Sequence, residues 1–444
     1  MSKRNFILIV IILVVIIAVV FGFFYFYQPA NKTDTTEGTN FFANFLPFGK
    51  SKTTTPVDTN QPVDVSGYIP PAEIDISTLK LKKISSFPVA GYGVFVKERF
   101  KDVVAPNLAV SPPNGGETAK STKPVVPATE FIPALRYVNK ATGNIYQTFA
   151  DRIDERKFSS TVIPKVYEVF FGDKGESVVM RYLKEDNKTI ETFVGTLPKE
   201  YVGVESSVAN EIKGSFLPEN ISDMSISPDA SKIFYLFNIG DNTAGITYSL
   251  ETKTKTQVFD SPFTEWLSFW PNNKMITITT KPSFSVPGYM YAINPDKKDF
   301  NKILGGINGL TTLASPNGKM ILYADNNLSL NIFNTETRNS NLLGVKTLPE
   351  KCVWGTTSNI IYCAVPKFID RAQYPDSWYQ GEISFSDEIW KIDVITGNTT
   401  IILDPTSIEN GEEIDGIKLS LDEGQNYLLF VNKKDSYLWE LNLK

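Results

Sequence analysis

The chain has 444 residues, of which 42% are hydrophobic and 12% aromatic, so it can bury a large folded core. Its net charge is -5 and no basic cluster with interleaved aromatic residues occurs, which excludes nucleic acid as an expected partner. It contains 0 His, which excludes a Ser-His-Asp or Cys-His nucleophile and the His-bearing metal sites of most hydrolases.

The first strong signal along the chain is an uncharged apolar run, residues 6–27, which ends in an aromatic cluster. About 20 apolar residues at helical rise span a hydrocarbon core, and aromatic rings are common at its interfaces. A cleaved secretory signal, which has a shorter apolar region, is the alternative. Lys3 and Arg4 precede the run, so the positive-inside rule predicts a cytoplasmic N-terminus, residues 1–5. We therefore expect a single-pass plasma-membrane anchor with an extracytoplasmic C-terminal body.

Two stretches have the composition of disordered chain. Residues 28–77 are rich in Thr, Asn, Pro, Gly and Ser, a composition too polar to collapse, and this predicts a disordered stalk. Residues 101–129 have a similar bias and predict a disordered loop inside the folded part.

The remaining region, residues 78–444, carries an internal repeat of about 43 residues. Each unit has an apolar strand, a tight polar turn, a second apolar strand, a third strand with an aromatic residue, and a short outer strand. The turns between first and second strands recur around Asp173, Asp229, Asn272, Asn317, Thr357 and Asp422. Four strands at this period are typical of one β-propeller blade, so we predict an all-β fold.

The number of repeats predicts how the ring closes. First strands begin near Val89, Val166, Ile221, Glu265, Leu310, Lys351 and Gly416. The last unit has only three strands, and the segment from Leu79 to Ser85 is suited to supply the fourth. We therefore predict a seven-bladed β-propeller closed by pairing its terminal strands, with a six-bladed ring as the alternative.

The repeat resembles a known group of proteins. Its Ser-Pro-Asp or Ser-Pro-Asn turns, as at Ser227 and Ser315, and its third strands, such as Ile389-Trp390-Lys391-Ile392-Asp393, are similar to the TolB-type, WD40-like (PD40) propeller repeats of exported bacterial proteins. The resemblance covers residues 79–444 and implies the fold. It implies no binding residues, because members bind many different partners.

The two cysteines, Cys352 and Cys363, flank the polar turn of blade six. A two-residue hairpin centred on Thr357 and Ser358 places them directly opposite each other, within disulfide range. Export permits oxidation, so we predict a disulfide, with two reduced core cysteines as the alternative. A metal site is not expected from two thiols without His, and no cofactor is expected.

An insertion between the second and third strands of blade six, from Pro366 to Asp387, is the predicted binding surface. It shares a rim with residues 281–288 of blade four, because both loops belong to the same face of the propeller. Rigid aromatic residues mixed with Arg resemble binding hot spots. The predicted binding residues are Phe368, Arg371, Tyr374, Asp376, Trp378, Tyr379 and Phe385. The alternative is a loop folded over the propeller that buries these rings.

These patterns predict a membrane-anchored, non-catalytic module that binds or scaffolds an envelope protein or a glycan. Asp173, Asp229 and Asp422 are explained by tight turns, so they are not assigned to catalysis. One alternative is a carbohydrate-active enzyme, which needs no His and is recognisable by paired carboxylates lining the central channel. Another is a structural envelope component that self-assembles.

Overall fold

A computed structural model describes residues 80–101, 128–152, 154–202, 210–409 and 411–444. Within these residues the strands form seven antiparallel sheets of four strands each. First strands of neighbouring sheets contact each other, so they line the centre of the ring. The prediction of an all-β, seven-bladed propeller is confirmed, and the six-bladed alternative is wrong.

The strands follow the predicted blades in chain order. The first described strand is β1 (Leu81–Lys83). Blade 1 contains β2 (Val89–Phe100), β3 (Thr129–Asn139), β4 (Ile145–Phe149) and β5 (Arg156–Lys157), and blade 2 contains β6 (Val166–Gly172), β7 (Ser177–Leu183), β8 (Ile190–Thr196) and β9 (Lys213–Phe216). Blade 3 contains β10 (Ile221–Ile226), β11 (Lys232–Ile239), β12 (Asn242–Ser249) and β13 (Lys255–Ser261), and blade 4 contains β14 (Trp266–Asn272), β15 (Met275–Thr280), β16 (Pro287–Ile293) and β17 (Phe300–Asn308).

The remaining three blades complete the ring, and short helical segments occur in several of its loops. Blade 5 contains β18 (Thr311–Ala314), β19 (Met320–Ala324), β20 (Ser329–Asn334) and β21 (Ser340–Lys346), and blade 6 contains β22 (Cys352–Trp354), β23 (Ile360–Pro366), β24 (Asp387–Asp393) and β25 (Thr399–Leu403). Blade 7 contains β26 (Gly416–Leu421), β27 (Tyr427–Asn432), β28 (Leu438–Asn442) and β1. The insertion of blade 6 holds a short helix, α1 (Asp376–Tyr379), and 3-10 turns occupy Asp173–Gly175, Pro349–Lys351 and Pro405–Ser407.

The ring closes through β1, which pairs antiparallel with β28 in the register Leu81↔Leu441, Lys82↔Glu440 and Lys83↔Trp439. The strand is shorter than the predicted segment from Leu79 to Ser85. Lys82 Nζ lies 3.0 Å from Glu440 Oε1, and both side chains are buried. Terminal pairing therefore completes blade 7 with a buried ion pair as well as a strand ladder.

The predicted transmembrane helix (6–27), the predicted stalk (28–77) and most of the predicted loop (101–129) lie outside the described residues. Among the residues that are described, no helix combines the length and apolar character needed to cross a membrane. The anchor, the stalk and the cellular location remain predictions from sequence.

Hydrophobic clusters fill the spaces between adjacent blades. In one of them Leu322 of β19 packs with Ile361 of β23 and with both cysteines. Cys352 and Cys363 are directly opposed on β22 and β23, with Cα atoms 4.0 Å apart, and a disulfide joins them. The disulfide joins β22, the innermost strand of blade 6, to β23 of the same blade.

Candidate functional site

Polar side chains occupy the third position of several innermost strands. They are Glu168 on β6, Asp223 on β10, Ser268 on β14 and Lys418 on β26. Innermost strands of a propeller run in the same direction, so their first residues meet at one end of the central channel. A charged or hydroxyl-bearing group therefore faces this end of the channel from each of these four blades.

The same level of the channel is marked by β-bulges in four consecutive blades. The pairing register shifts between Ile417 and Ser420 in β26, and at the second residue of β2, β6 and β10. The innermost strands of blades 5 and 6 pair without a shift. Bulges re-aim side chains and are common next to active sites, so this end of the channel is the candidate functional site.

Asp223 is the most enclosed acid on the channel wall. Its Oδ2 accepts hydrogen bonds from Ser268 N at 2.5 Å and from Ser268 Oγ at 2.6 Å. Burial raises the pKa of Asp223 to about 6, although the two bonds from Ser268 act in the opposite direction. Its side chain is half-buried. Asp223 therefore titrates close to neutral pH, as an acid or base catalyst requires.

Glu350 lies in the turn before β22 and is the second acid with a perturbed pKa at this end. Burial raises the pKa of its carboxyl to about 7, against the lowering effects of Tyr379 and Lys351. Its Oε2 accepts a hydrogen bond from Tyr379 Oη at 2.8 Å. Its Oε1 is buried without a hydrogen-bond partner among the described residues. One oxygen of this carboxyl is thus available for a ligand or a water molecule.

A small crevice lies between Glu350 and Ser268, the residue that bonds to Asp223. It has a volume of about 50 Å³, and Ser268, Thr312, Glu350 and Tyr379 are among its lining residues. Asp223 is not among the lining residues and is joined to the crevice through the two hydrogen bonds that Ser268 donates to it. This volume accommodates one or two water molecules and is too small for a sugar ring. A larger substrate must lie in the channel and present only a bond or a hydroxyl group to the crevice.

Two of the predicted binding residues position this crevice. Asp376 Oδ2 accepts a hydrogen bond from Phe284 N at 2.6 Å, which fastens α1 of blade 6 to the loop of blade 4. Tyr379 ends α1, is 40% exposed and reaches Glu350. The insertion therefore crosses blade 5 and meets residues 281–288, as expected, and it places the Tyr379 hydroxyl at the candidate site.

Three other predicted residues lie in the core instead. Tyr374, Trp378 and Phe385 are each less than 5% exposed, and their rings stack with centroids 5.9 Å (Tyr374 and Phe385) and 6.1 Å (Trp378 and Phe385) apart. They pack on Leu328 and Leu348 of blade 5. For these rings the structure shows the alternative, a loop folded over the propeller, because burying them removes a large apolar area from water.

Phe368 and Arg371 lie on the outer side of the insertion. Phe368 is 83% exposed and Arg371 is also exposed. Neither is among the residues that line the crevice. A binding role for these two residues remains a prediction.

A buried charge cluster fastens the insertion to the propeller. Lys351 Nζ contacts Asp387 Oδ2 at 2.8 Å and also pairs with Asp415, and all three side chains have no exposed area. Asp415 Oδ2 in turn accepts hydrogen bonds from Trp378 Nε1 at 2.9 Å and from Phe385 N at 3.0 Å. Burial raises the pKa of Asp387 to about 6. Burial also acts to raise the pKa of Asp415, but Lys351 and the hydrogen bonds from Phe385 and Trp378 together hold it below its usual value.

Sequence analysis did not single out Glu168, Asp223, Glu350 or Lys418. The available signal was a charged residue at the third position of an otherwise apolar first strand, at 168, 223 and 418. Glu350 carries no comparable signal, since its role depends on the folded insertion. Within the part of the chain that the structure describes, no group of three or more His, Cys, Asp or Glu residues is arranged to hold a metal ion.

We expect the propeller to be more stable at about pH 5 than at about pH 8. Asp223, Asp387, Glu350 and Glu440 have raised pKa values of about 6, 6, 7 and 7, each because of burial. The folded state therefore binds more protons than the unfolded state, so stability is lost as pH rises through these values. Each group contributes on the order of 1–3 kcal/mol, and calorimetric melting temperatures measure the sum.

The matched control for this pH dependence is Glu440→Gln. This variant removes one titrating group far from the channel, so its melting temperature varies less with pH than that of the wild type. A melting temperature that stays constant or rises between about pH 5 and pH 8 contradicts the prediction.

Comparisons with known proteins show the fold and correct the predicted function. No protein-family profile and no curated protein sequence matches the chain. Among solved structures, an oligogalacturonate lyase from Vibrio parahaemolyticus has 8% sequence identity and a TM-score of 0.49, covering 70% of this chain and 86% of its own. TolB from Acinetobacter baumannii has 11% identity and a TM-score of 0.39, covering 70% of this chain and 77% of its own. A mitotic checkpoint complex matches with 10% identity and a TM-score of 0.45, covering 70% of this chain and 86% of its own.

These comparisons correct the prediction of a non-catalytic binding or scaffolding module, because they give it no support as the main function. The matched structures include two of oligogalacturonate lyase, an enzyme. They also include non-enzymes, so at these identities they do not decide whether this chain is catalytic. The predicted resemblance is supported as far as the β-propeller fold, with TolB among its neighbours.

Proposed function

We propose that this protein is a carbohydrate-active enzyme that hydrolyses glycosidic bonds with the carboxyl groups of Asp223 and Glu350. The observation that carries the proposal is the crevice at one end of the central channel: Glu350 and Ser268 line it, Ser268 bonds to Asp223, and the pKa values of Asp223 and Glu350 are about 6 and 7. Strongly perturbed acids in a cleft are candidates for catalysis. Glycoside hydrolysis requires a pair of carboxyl groups and no His.

The two pKa values assign the roles. Glu350 keeps its proton near neutral pH, so it is the general acid that protonates the departing glycosidic oxygen. Asp223 has the lower pKa and is ionised, so it is the general base. Two acids whose surroundings separate their pKa values form the usual arrangement for such a division of roles.

The size of the crevice favours hydrolysis over elimination. Its volume of about 50 Å³ holds one or two water molecules beside Ser268 and Glu350. Hydrolysis uses such a water as the attacking group, and Ser268, which lines this space, bonds to Asp223. Elimination consumes no water and gains nothing from a water-sized space. We also propose that residues 6–27 tether the enzyme to the plasma membrane, as the sequence predicts.

The test is turnover on a panel of neutral and acidic polysaccharides in heavy-oxygen water. We expect shortened saccharides that carry the heavy oxygen at their new reducing ends, because water attacks the anomeric carbon. The same protein sample must show a cooperative melting transition. A folded protein that releases no product from any member of the panel contradicts the proposal, and so do products with an unsaturated ring and no label.

A further inference from the structure

Lys418 is a cation at this end of the channel that has no carboxylate partner among the described residues. It lies in the bulge of β26, where Tyr92 Oη donates a hydrogen bond to its backbone oxygen at 2.5 Å. Its Nζ donates to Ala90 O at 3.1 Å, an oxygen in the bulge of β2. Two adjacent bulges therefore fix both ends of this side chain.

The charges around Lys418 leave its own charge unpaired. The acid that acts electrostatically on Lys418 is Glu168, which forms an ion pair with Arg181, and Arg181 also donates to Ile221 O. Lys140 is a further cation nearby. No carboxylate lies within ion-pair distance of Lys418 among the described residues. Burial lowers the pKa of Lys418, as expected for an ammonium group that lacks a counter-charge.

Lys418 is nevertheless accessible. Its side chain is exposed, and its Nζ bonds to Ala90 on the innermost strand of the adjacent blade, so it lies on the channel wall. Blade 7 stands across the ring from blades 3 and 4, which carry Asp223 and Ser268. A saccharide placed in the channel with one bond at the crevice therefore presents its opposite side to Lys418.

We propose that the saccharide bound in this channel is anionic, carrying a carboxylate or a sulfate ester that pairs with Lys418. This inference rests on the proposed function for the position of the substrate. A hydrogen bond between two charged groups is about twice as strong as a neutral one, and enclosure in the channel strengthens it further. Lys418 thus determines substrate class without taking part in bond cleavage.

The test is equilibrium binding to a glycan array with matched acidic and neutral pairs. Galacturonate oligomers are compared with their methyl esters, and sulfated saccharides with unsulfated ones. The proteins are the wild type, Lys418→Gln, Lys418→Arg and the surface control Lys319→Gln. Lys319 pairs with Glu336 and both are exposed, so its replacement changes net charge equally without touching the channel.

We expect the wild type to prefer the acidic member of each bound pair, and the Lys418→Gln variant to bind it about tenfold or more weakly. Lys418→Arg and Lys319→Gln retain the preference. Preference for galacturonate identifies a carboxylate, and preference for the sulfated member identifies a sulfate ester. Equal binding of acidic and neutral members, no binding to any acidic member, or an unchanged preference in Lys418→Gln overturns the inference.

Binding is measured without turnover, so the two proposals fail separately. Acidic preference without hydrolysis leaves the role of Lys418 standing and removes the proposed catalysis. Hydrolysis of neutral polysaccharide without acidic preference leaves the proposed catalysis standing and removes the role of Lys418.

Discussion

Replacement of Lys351 by Met is expected to lower the free energy of unfolding by about 3–5 kcal/mol at about pH 8. The ammonium group of Lys351 is fully buried and pairs with Asp387 and Asp415, whose side chains also have no exposed area. Met fills a similar volume without the charge. Two buried carboxylates then lose their counter-charge, and leaving a buried charge uncompensated is among the most destabilising single changes.

The loss should be smaller at about pH 5. The pKa of Asp387 is already raised to about 6, and removal of the cation raises it further, so the carboxyl protonates and its buried charge disappears. The triple variant Lys351→Met, Asp387→Asn, Asp415→Asn should recover most of the stability for the same reason. Chemical denaturation at both pH values measures these differences.

Lys319→Met is the matched control for Lys351→Met. Its partner is Glu336 at 2.9 Å, and both side chains are more than half exposed. An exposed ion pair contributes only about 0–1 kcal/mol. If Lys351→Met lowers the free energy of unfolding by no more than Lys319→Met does, the buried cluster does not fasten the insertion to the propeller.

The fold was predictable because its determinants are local and repeated. Alternation of apolar residues with a period of two, followed by a tight turn, specifies one hairpin, and its recurrence about every 43 residues specifies blades. Each of the seven first strands begins within one residue of its predicted start. The opposed position of Cys352 and Cys363 was predictable for the same reason, since hairpin register follows from the turn.

The candidate site was less predictable because its residues meet through tertiary structure. In the sequence Asp223 is a single polar residue within a strand, and its contact with Ser268 of the next blade exists only in the folded ring. Glu350 gains its raised pKa from burial, which depends on an insertion that is distant in the chain, and Tyr379 of that insertion bonds to its carboxyl. The insertion itself was recognised from sequence, but its aromatic residues were assigned to one surface. Three of them are buried, and only Tyr379 contacts an acid of the site.

Asp223→Asn is expected to reduce the turnover number by about 10²- to 10⁴-fold, the usual contribution of a general base. The amide keeps the shape of the carboxyl and can still bond Ser268, so folding is retained. Stability should rise at about pH 8, because the variant no longer buries a carboxylate whose folded pKa lies near 6. Opposite changes in activity and stability separate a catalytic acid from a structural one.

The pH profile sharpens this prediction. With Asp223 ionised above its pKa of about 6 and Glu350 protonated below its pKa of about 7, wild-type activity is greatest between these values. Residual activity of Asp223→Asn should lose the acidic limb, and that of Glu350→Gln the alkaline limb. Asp229→Asn is the control and should retain full activity, because in the described part of the chain Asp229 bonds to Ser227 and Ser231 in an exposed turn. If Asp223→Asn keeps wild-type turnover and both limbs, the base must be sought elsewhere on the channel wall, with Glu168 the first residue to replace.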